Sequence, residues 1–274
     1  MPLPHFLIIG AMKAGTTTLY DDLGQHPGVC MSSQKEPEGL LHIDAPGGLE
    51  RYERSFRAAQ PGQRIGEAST AYAKRPEHEG VAKTAARLLG PDLKVIYIMR
   101  DPIKRIVSQY QHEVGLGLEA RPFDIAVRED PRYVAFSRYD YQLEPWRAEL
   151  DSSHILCLRF EDYVQDRAGT LAQVAEFLGL DEAGLPTAFG GARNASAQKP
   201  VAKGAWRGLM RSGLYLDHIK PLLNSQTRDR LKQWLLPVAK NTPVILDDDT
   251  VQWLQASLTE ADHGAYRDAR LSSC

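Results

Sequence analysis

The segment His5-Phe6-Leu7-Ile8-Ile9-Gly10-Ala11-Met12-Lys13-Ala14-Gly15-Thr16-Thr17-Thr18-Leu19 constrains this chain more than any other. An apolar run, a loop bounded by glycines and a polar helix start, in that order, predict strand, loop and helix. Backbone N–H groups of such a loop and the helix N-terminus converge on an anion, usually a phosphate. Gly10 and Gly15 have the spacing of the GxxxxGK loop that binds ATP, but this chain has Thr16 where that loop needs lysine. Its one lysine, Lys13, lies inside the turn. The expectation is a phosphate cradle with a displaced cation.

A second segment narrows the reading. Lys94-Val95-Ile96-Tyr97-Ile98-Met99 has the composition of a buried strand, and Arg100-Asp101-Pro102 ends it. Asp101 is a good N-cap and Pro102 a good first helical residue. Ile103, Ile106, Val107 and Tyr110 then recur at the spacing of a buried helix face, with Lys104, Arg105 and Ser108 elsewhere around it. Arg100 thus falls at the carboxyl edge of a strand, where open α/β sheets place ligands. Further strands are expected at Phe6–Ile9, Val29–Met31, Arg64–Glu67 and Ile155–Phe160, with helical stretches between most of them. That rhythm predicts a P-loop-like parallel sheet flanked by helices, a single α/β domain over residues 1–274. Leu171, Val174, Ala175 and Leu178 mark an amphipathic helix closed by Gly179.

Lys13-Ala14-Gly15-Thr16-Thr17 with Leu19, together with Arg100-Asp101-Pro102 through Ser108, resembles the sulfotransferases that use 3′-phosphoadenosine 5′-phosphosulfate (PAPS). The likeness is closest to the branch with the heparan sulfate enzymes and their bacterial relatives. It continues through Lys35-Glu36-Pro37, Gly66-Glu67-Ala68-Ser69-Thr70-Ala71-Tyr72 and Phe160-Glu161-Asp162-Tyr163 to Phe177-Leu178-Gly179-Leu180, so it covers roughly residues 5 to 204. Each motif alone is common; together and in order they are specific.

The resemblance implies PAPS as donor, the 3′-phosphate nucleotide PAP as product, and no metal. Lys13 and the backbone and hydroxyls of Ala14, Gly15, Thr16, Thr17 and Thr18 would hold the phosphosulfate, Lys13 also supporting the leaving oxygen. Arg100 and Ser108 would hold the 3′-phosphate. Glu36 would be the base for the acceptor, with Glu38, His42 and His78 as rivals. Where the heparan branch has a lysine after its Glu67 equivalent, this chain has Ala68, so that lysine's role is either dispensable or taken by Lys35 or another residue. Asn194-Ala195-Ser196 to Lys199 resembles the family's late loop over the nucleotide, which adds Lys199 and Lys203 as donor-binding residues; Arg207 and Arg211 continue that basic spacing. A solvated basic face is the plain alternative.

Glycines and Asn194 after Leu185 predict a long loop there, and Leu222, Leu223, Leu231 and Trp234 predict a return to helix. Asp247-Asp248-Asp249 reads as a helix cap rather than a metal cluster. Trp146 reads as core, whereas Tyr139 and Tyr141 are open between core and an acceptor pocket. The 33 Lys and Arg against 35 Asp and Glu leave a formal charge of −2, so no global field recruits nucleic acid or a polyanion. The expected partner is a small-molecule, glycan or lipid acceptor of low charge. Cys30, Cys157 and Cys274 lack CxxC spacing, which predicts unpaired thiols and a cytoplasmic location. The apolar run Phe6–Ile9 is too short for a membrane span. The competing functions are a P-loop kinase or NTPase, and a nucleotide-binding module without turnover.

Overall fold

A computed structural model describes residues 2–187, 244 and 246–269. In chain order the elements are β1 (Phe6–Gly10), α1 (Thr16–Leu23), β2 (Val29–Met31), α2 (Gly48–Arg54), β3 (Arg64–Ala68), α3 (Val81–Leu89), β4 (Lys94–Met99), α4 (Pro102–Gly115), α5 (Phe123–Glu129), α6 (Arg132–Ala135), α7 (Tyr139–Glu149), β5 (Ile155–Arg159), α8 (Phe160–Gln165) and α9 (Arg167–Leu178). Two further described helices, α10 (Asp248–Ser257) and α11 (Glu260–Asp268), follow residue 246. Short 3₁₀ turns at Gly39–His42 and Thr70–Ala73 follow β2 and β3. The basic run at Lys199, Lys203, Arg207 and Arg211 and the leucines beyond Pro221 lie outside the described residues.

The five strands form one sheet in the order β2-β3-β1-β4-β5, and every pair is parallel. Both faces are covered, which is why β1 and most of β4 and β5 are continuously apolar instead of alternating with polar residues, while β3 carries Arg64 and Glu67. Phe6, Ile8, Ile96, Ile98, Leu156 and Leu158 meet Leu19 and Leu23 of α1 and Leu171, Val174 and Leu178 of α9. On the opposite face Leu7, Ile9, Val95, Tyr97, Met99 and Ile155 meet Tyr52 of α2, the α3 residues Val81, Ala82 and Ala85, and Leu143 and Trp146 of α7. Ala269, just past α11, packs into this second layer, and Leu254 of α10 joins a smaller cluster with Ile106 and Phe123.

Gly66 shows how tightly the β1–β3 pair is set. It lies opposite Phe6, and a Cβ there would stand 2.1 Å from Phe6 Cζ. Gly66→Ala is therefore expected to destabilise the fold by about 1–3 kcal/mol, the cost of overpacking a filled core. A urea-unfolding midpoint equal to that of the parent would contradict this packing.

The helix-end expectations hold: Asp101 Oδ1 accepts the Lys104 N–H at 2.8 Å, Gly179 closes α9 at φ 67°, and Asp247 Oδ1 accepts the Thr250 N–H at 2.7 Å. Three others need correction. Strand β5 stops at Arg159, because Phe160 already opens α8. Helix α4 buries Arg105 completely, whereas the apolar spacing puts it off the buried face. The reason is local satisfaction: its guanidinium donates to Ser137 Oγ (2.5 Å), Gln109 Oε1 (2.9 Å) and the Tyr133 carbonyl (2.7 Å). Finally, Cys30 is a free buried thiol, but Cys157 is disulfide-bonded, so the thiols are not all unpaired.

Candidate active site at the carboxyl edge of the sheet

The candidate residues lie above adjacent strand ends. β1 runs into the glycine-bounded turn, β4 into Arg100, β5 into Phe160 and Glu161, and the Glu36 loop docks on the end of β3. Since β1 lies between β3 and β4, the Lys13 turn separates Glu36 on one side from Arg100 on the other.

The turn after β1 is anchored from β4, because the Ala11 N–H donates to the Ile98 carbonyl at 2.6 Å. Lys13 has left-handed backbone (φ 71°) and so has Gly15 (φ 95°). A Cβ on Gly15 would stand 2.7 Å from Phe160 Cδ2, so glycine is required both for the conformation and for contact with that ring. Ala14 is fully buried, and its N–H donates to the Ala11 carbonyl at 3.1 Å. The Thr18 N–H donates to the Gly15 carbonyl at 3.0 Å. Ala14 and Thr18 thus use their backbone donors inside the turn. Thr16 and Thr17, the first residues of α1, are the helix N–H groups without an intrahelical acceptor. The Thr16 side chain is buried, while Thr17 and Thr18 are partly exposed.

α1 is held in place from below. Asp22 is buried and accepts the Tyr163 hydroxyl; Arg167 pairs with both its oxygens at 2.6 and 2.7 Å. The Phe160-Glu161-Asp162-Tyr163 motif therefore braces the Lys13 turn and its flanks at several points. Phe160 touches Gly15 and stacks under Arg100 (5.2 Å from guanidinium carbon to ring centre), Glu161 Oε1 accepts the Asp101 N–H at 3.2 Å, and Tyr163 ties down α1.

Arg100 is partly buried. Tyr139 brackets its backbone, donating its hydroxyl proton to the Arg100 carbonyl (2.5 Å) and accepting the Arg100 N–H (3.3 Å). One guanidinium nitrogen, Nη1, reaches the Lys13 carbonyl at 3.4 Å, and Nε is buried with no partner. A buried donor left unmatched costs about 1–3 kcal/mol. An anion between the turn and Arg100 removes that cost, so these residues fit a bound phosphate group. Ser108 is 7% exposed on α4, two turns beyond the Arg100-Asp101-Pro102 corner.

Glu36 sits on the β3 side with left-handed backbone (φ 57°), as does Glu38 (φ 53°). The Glu36 N–H donates to the Ala68 carbonyl at 2.9 Å. Its carboxylate, 35% exposed, meets Lys35 Nζ at 2.5 Å and Thr70 Oγ1 at 3.4 Å, both at Oε1. Lys35, one of the residues suggested to replace the family lysine absent at Ala68, thus lies against the candidate base. His42 is exposed and His78 partly exposed.

Below this loop lies Glu67, fully buried at the end of β3. Its Oε1 accepts the hydroxyls of Tyr52 (2.5 Å) and Tyr72 (2.8 Å), and Oε2 accepts that of Ser69 (2.7 Å). Burial pushes the Glu67 carboxyl above its usual range against the opposing pull of those three donors. Tyr72 is itself buried, 2% exposed, and packs into the core on that face of the sheet.

The roles of Tyr139 and Phe160 in holding Arg100 are not readable from spacing. Tyr139 looks like one member of an aromatic stripe, and only the packing of α7 against the β4 end turns it toward Arg100. Trp146 is core, as expected. Among the described residues no group of three or more His, Cys, Asp and Glu side chains could hold a metal ion, and no helix is long and apolar enough to cross a membrane.

The sulfotransferase domain model matches residues 3–188. Mouse heparan sulfate glucosamine 3-O-sulfotransferase 3B1 is 30% identical over 65% of this chain and 46% of its own length. Mouse carbohydrate sulfotransferase 15 is 26% identical over 65% of this chain and 44% of its own. This chain therefore spans less than half the length of these curated relatives. Among solved structures, a sulfotransferase from Alicyclobacillus acidocaldarius superposes with a TM-score of 0.60 at 26% identity, covering 68% of this chain and 85% of that one. Mouse sulfotransferase SULT7A1, solved with PAP, matches at a TM-score of 0.50 and 15% identity over 97% of this chain and 87% of its own, a likeness of fold alone.

Proposed function

Because this chain belongs to the sulfotransferase domain family, we propose that it moves the sulfonate group of PAPS to an acceptor hydroxyl and releases PAP. The observation that carries the proposal is the partnerless, buried Nε of Arg100 beside a glycine-bounded turn at the head of a parallel sheet. In this reading Arg100 and Ser108 hold the 3′-phosphate, while Lys13, Gly15, Thr16 and Thr17 hold the 5′ end, with Ala14 and Thr18 shaping the turn. Lys199 and Lys203, outside the described residues, keep their sequence-based assignment to the nucleotide. α10 and α11, whose residues pack into the same cores, support one domain over 1–274.

PAPS supplies an activated sulfur with a phosphate leaving group. The residues of this chain supply position and charge. Glu36 takes the acceptor's hydroxyl proton, its Oε1 already oriented by Lys35 and Thr70. The acceptor oxygen bonds to sulfur as the bond from sulfur to the 5′-phosphate oxygen breaks in line with it, and Lys13 stabilises the charge left on that oxygen.

The acceptor in this proposal is a weakly charged small molecule, glycan or lipid, since the chain carries no net positive charge to attract a polyanion. The proposal includes a cytoplasmic location, against which the disulfide at Cys157 stands. Thiol alkylation in a reducing cytoplasm should find Cys157 reactive after denaturation; a protected Cys157 would place the protein in an oxidising compartment.

Thermal shift tests the donor assignment. PAP should raise Tm by several degrees at concentrations far above its Kd, because it binds only the folded chain. ATP with Mg²⁺ should do much less. A strong Mg²⁺-dependent shift with ATP and none with PAP would favour a kinase.

A further inference from the structure

Two non-glycine residues of the Glu36 loop, Glu36 and Glu38, have left-handed backbone. Residues held there cost energy and persist only where the surroundings over-determine them. The surroundings here are a buried polar network. Ser69 Oγ accepts the Glu38 N–H at 3.2 Å and passes its own proton to Glu67 Oε2. The Tyr72 hydroxyl accepts the Leu40 N–H at 3.1 Å and passes its proton to Glu67 Oε1. Each hydroxyl has a single proton, so once its oxygen accepts a loop N–H, its proton must find an acceptor elsewhere. The Glu67 carboxylate accepts both hydrogen bonds, and one from the Tyr52 hydroxyl as well.

Gly39 lets the loop come down onto this network. A Cβ there would stand 2.0 Å from Tyr52 Cδ2, so only glycine allows the approach. The loop backbone is thus pinned at Glu36 by Ala68, at Glu38 by Ser69 and at Leu40 by Tyr72, all on or just after β3.

We infer that Glu67 is a positioning residue for the transfer reaction: through Ser69 and Tyr72 it fixes the strained loop that aims Glu36 at the acceptor. The inference rests on Glu36 being the base, and it explains why a buried carboxylate is placed at the end of β3 with three hydroxyls pointed at it.

The test is a double-mutant cycle on the intact chain. Turnover is read as PAP formed from PAPS with the best acceptor in a panel of 4-nitrophenol, monosaccharides and an alkyl glycoside. Tyr72→Phe and Ser69→Ala each remove one relay without touching Glu36. Each is expected to lower kcat by roughly 10- to 100-fold, the scale for slight misplacement of a reacting group, while the rise in Tm with PAP persists. In a Glu36→Gln background the same changes should cost nothing further, because residues acting through one group are not additive. Hydrogen exchange of residues 33–41 should quicken in both relay variants and stay unchanged in α1. Full turnover in both single variants, or an equal loss with and without Glu36, would overturn the inference. Unchanged exchange in residues 33–41 would do so without any acceptor. Full activity of Glu36→Gln alone would instead remove the base assignment on which it stands.

Discussion

Lys13→Ala is expected to lower turnover by on the order of 10²-fold or more, the loss seen when a preorganised charge contact to a transition state is removed. The size of this effect follows from where the ammonium is carried. Lys13 is in a turn whose left-handed backbone is fixed on one side by the Ala11–Ile98 hydrogen bond and on the other by Gly15 against Phe160. A charge so placed costs little further ordering when the leaving oxygen develops its own. PAP binding should weaken less than turnover, because the proposed function assigns the nucleotide to Arg100 and the first turn of α1 as well. Single-turnover kinetics at saturating PAPS separates the two effects. Turnover near that of the parent would show that Lys13 does not meet the leaving group.

The second large effect is expected at Glu36. Glu36→Gln keeps the shape and the contacts with Lys35 and Thr70 but removes the proton acceptor, so turnover should fall by about 10²–10⁴-fold. PAP should still raise Tm, since Glu36 and Arg100 lie on opposite sides of the β1 turn. The acidic limb of the pH–rate profile should change in the variant. An active Glu36→Gln protein together with an inactive variant at Glu38, His42 or His78 would move the base to that residue.

Much of the architecture is legible in the sequence. β1 and β4 are legible because burial on both faces leaves a run of apolar residues, as in Val95–Met99, and a glycine after Ile9 and a helix cap after Met99 mark where those runs end. The loop at Lys13 and the corner at Arg100 were legible for a related reason. A tight strand-to-helix turn needs glycine where the backbone is left-handed, as at Gly15, and an Asp-Pro corner is a helix start in almost any context.

What sequence did not show were contacts made between distant segments. Arg105 reads as a surface residue because charge is usually solvated, and only the meeting of α4 with Ser137 and the Tyr133 carbonyl makes its burial affordable. The bracing of Arg100 by Tyr139 and Phe160 joins residues about 40 and 60 positions apart in the chain. Glu67 is the clearest instance. In sequence it is one residue of a short motif whose next position departs from the pattern of the heparan branch, and nothing in its neighbours reveals that Tyr52 comes from another helix to meet it. The disulfide at Cys157 escaped for the same reason, since three unspaced cysteines carry no pairing signal.

Recognition of a nucleotide 3′-phosphate by the proposed site can be read by isothermal titration. PAP and adenosine 5′-phosphate, which differ by that one group, should be titrated into the parent and into Arg100→Ala. The parent should bind PAP at least 10²-fold more tightly than adenosine 5′-phosphate, about 2.7 kcal/mol or more, through charged hydrogen bonds from the forked guanidinium. Arg100→Ala should lose most of that preference while still binding both nucleotides weakly. Equal affinity of the parent for the two nucleotides, or a preference that survives in Arg100→Ala, would contradict it.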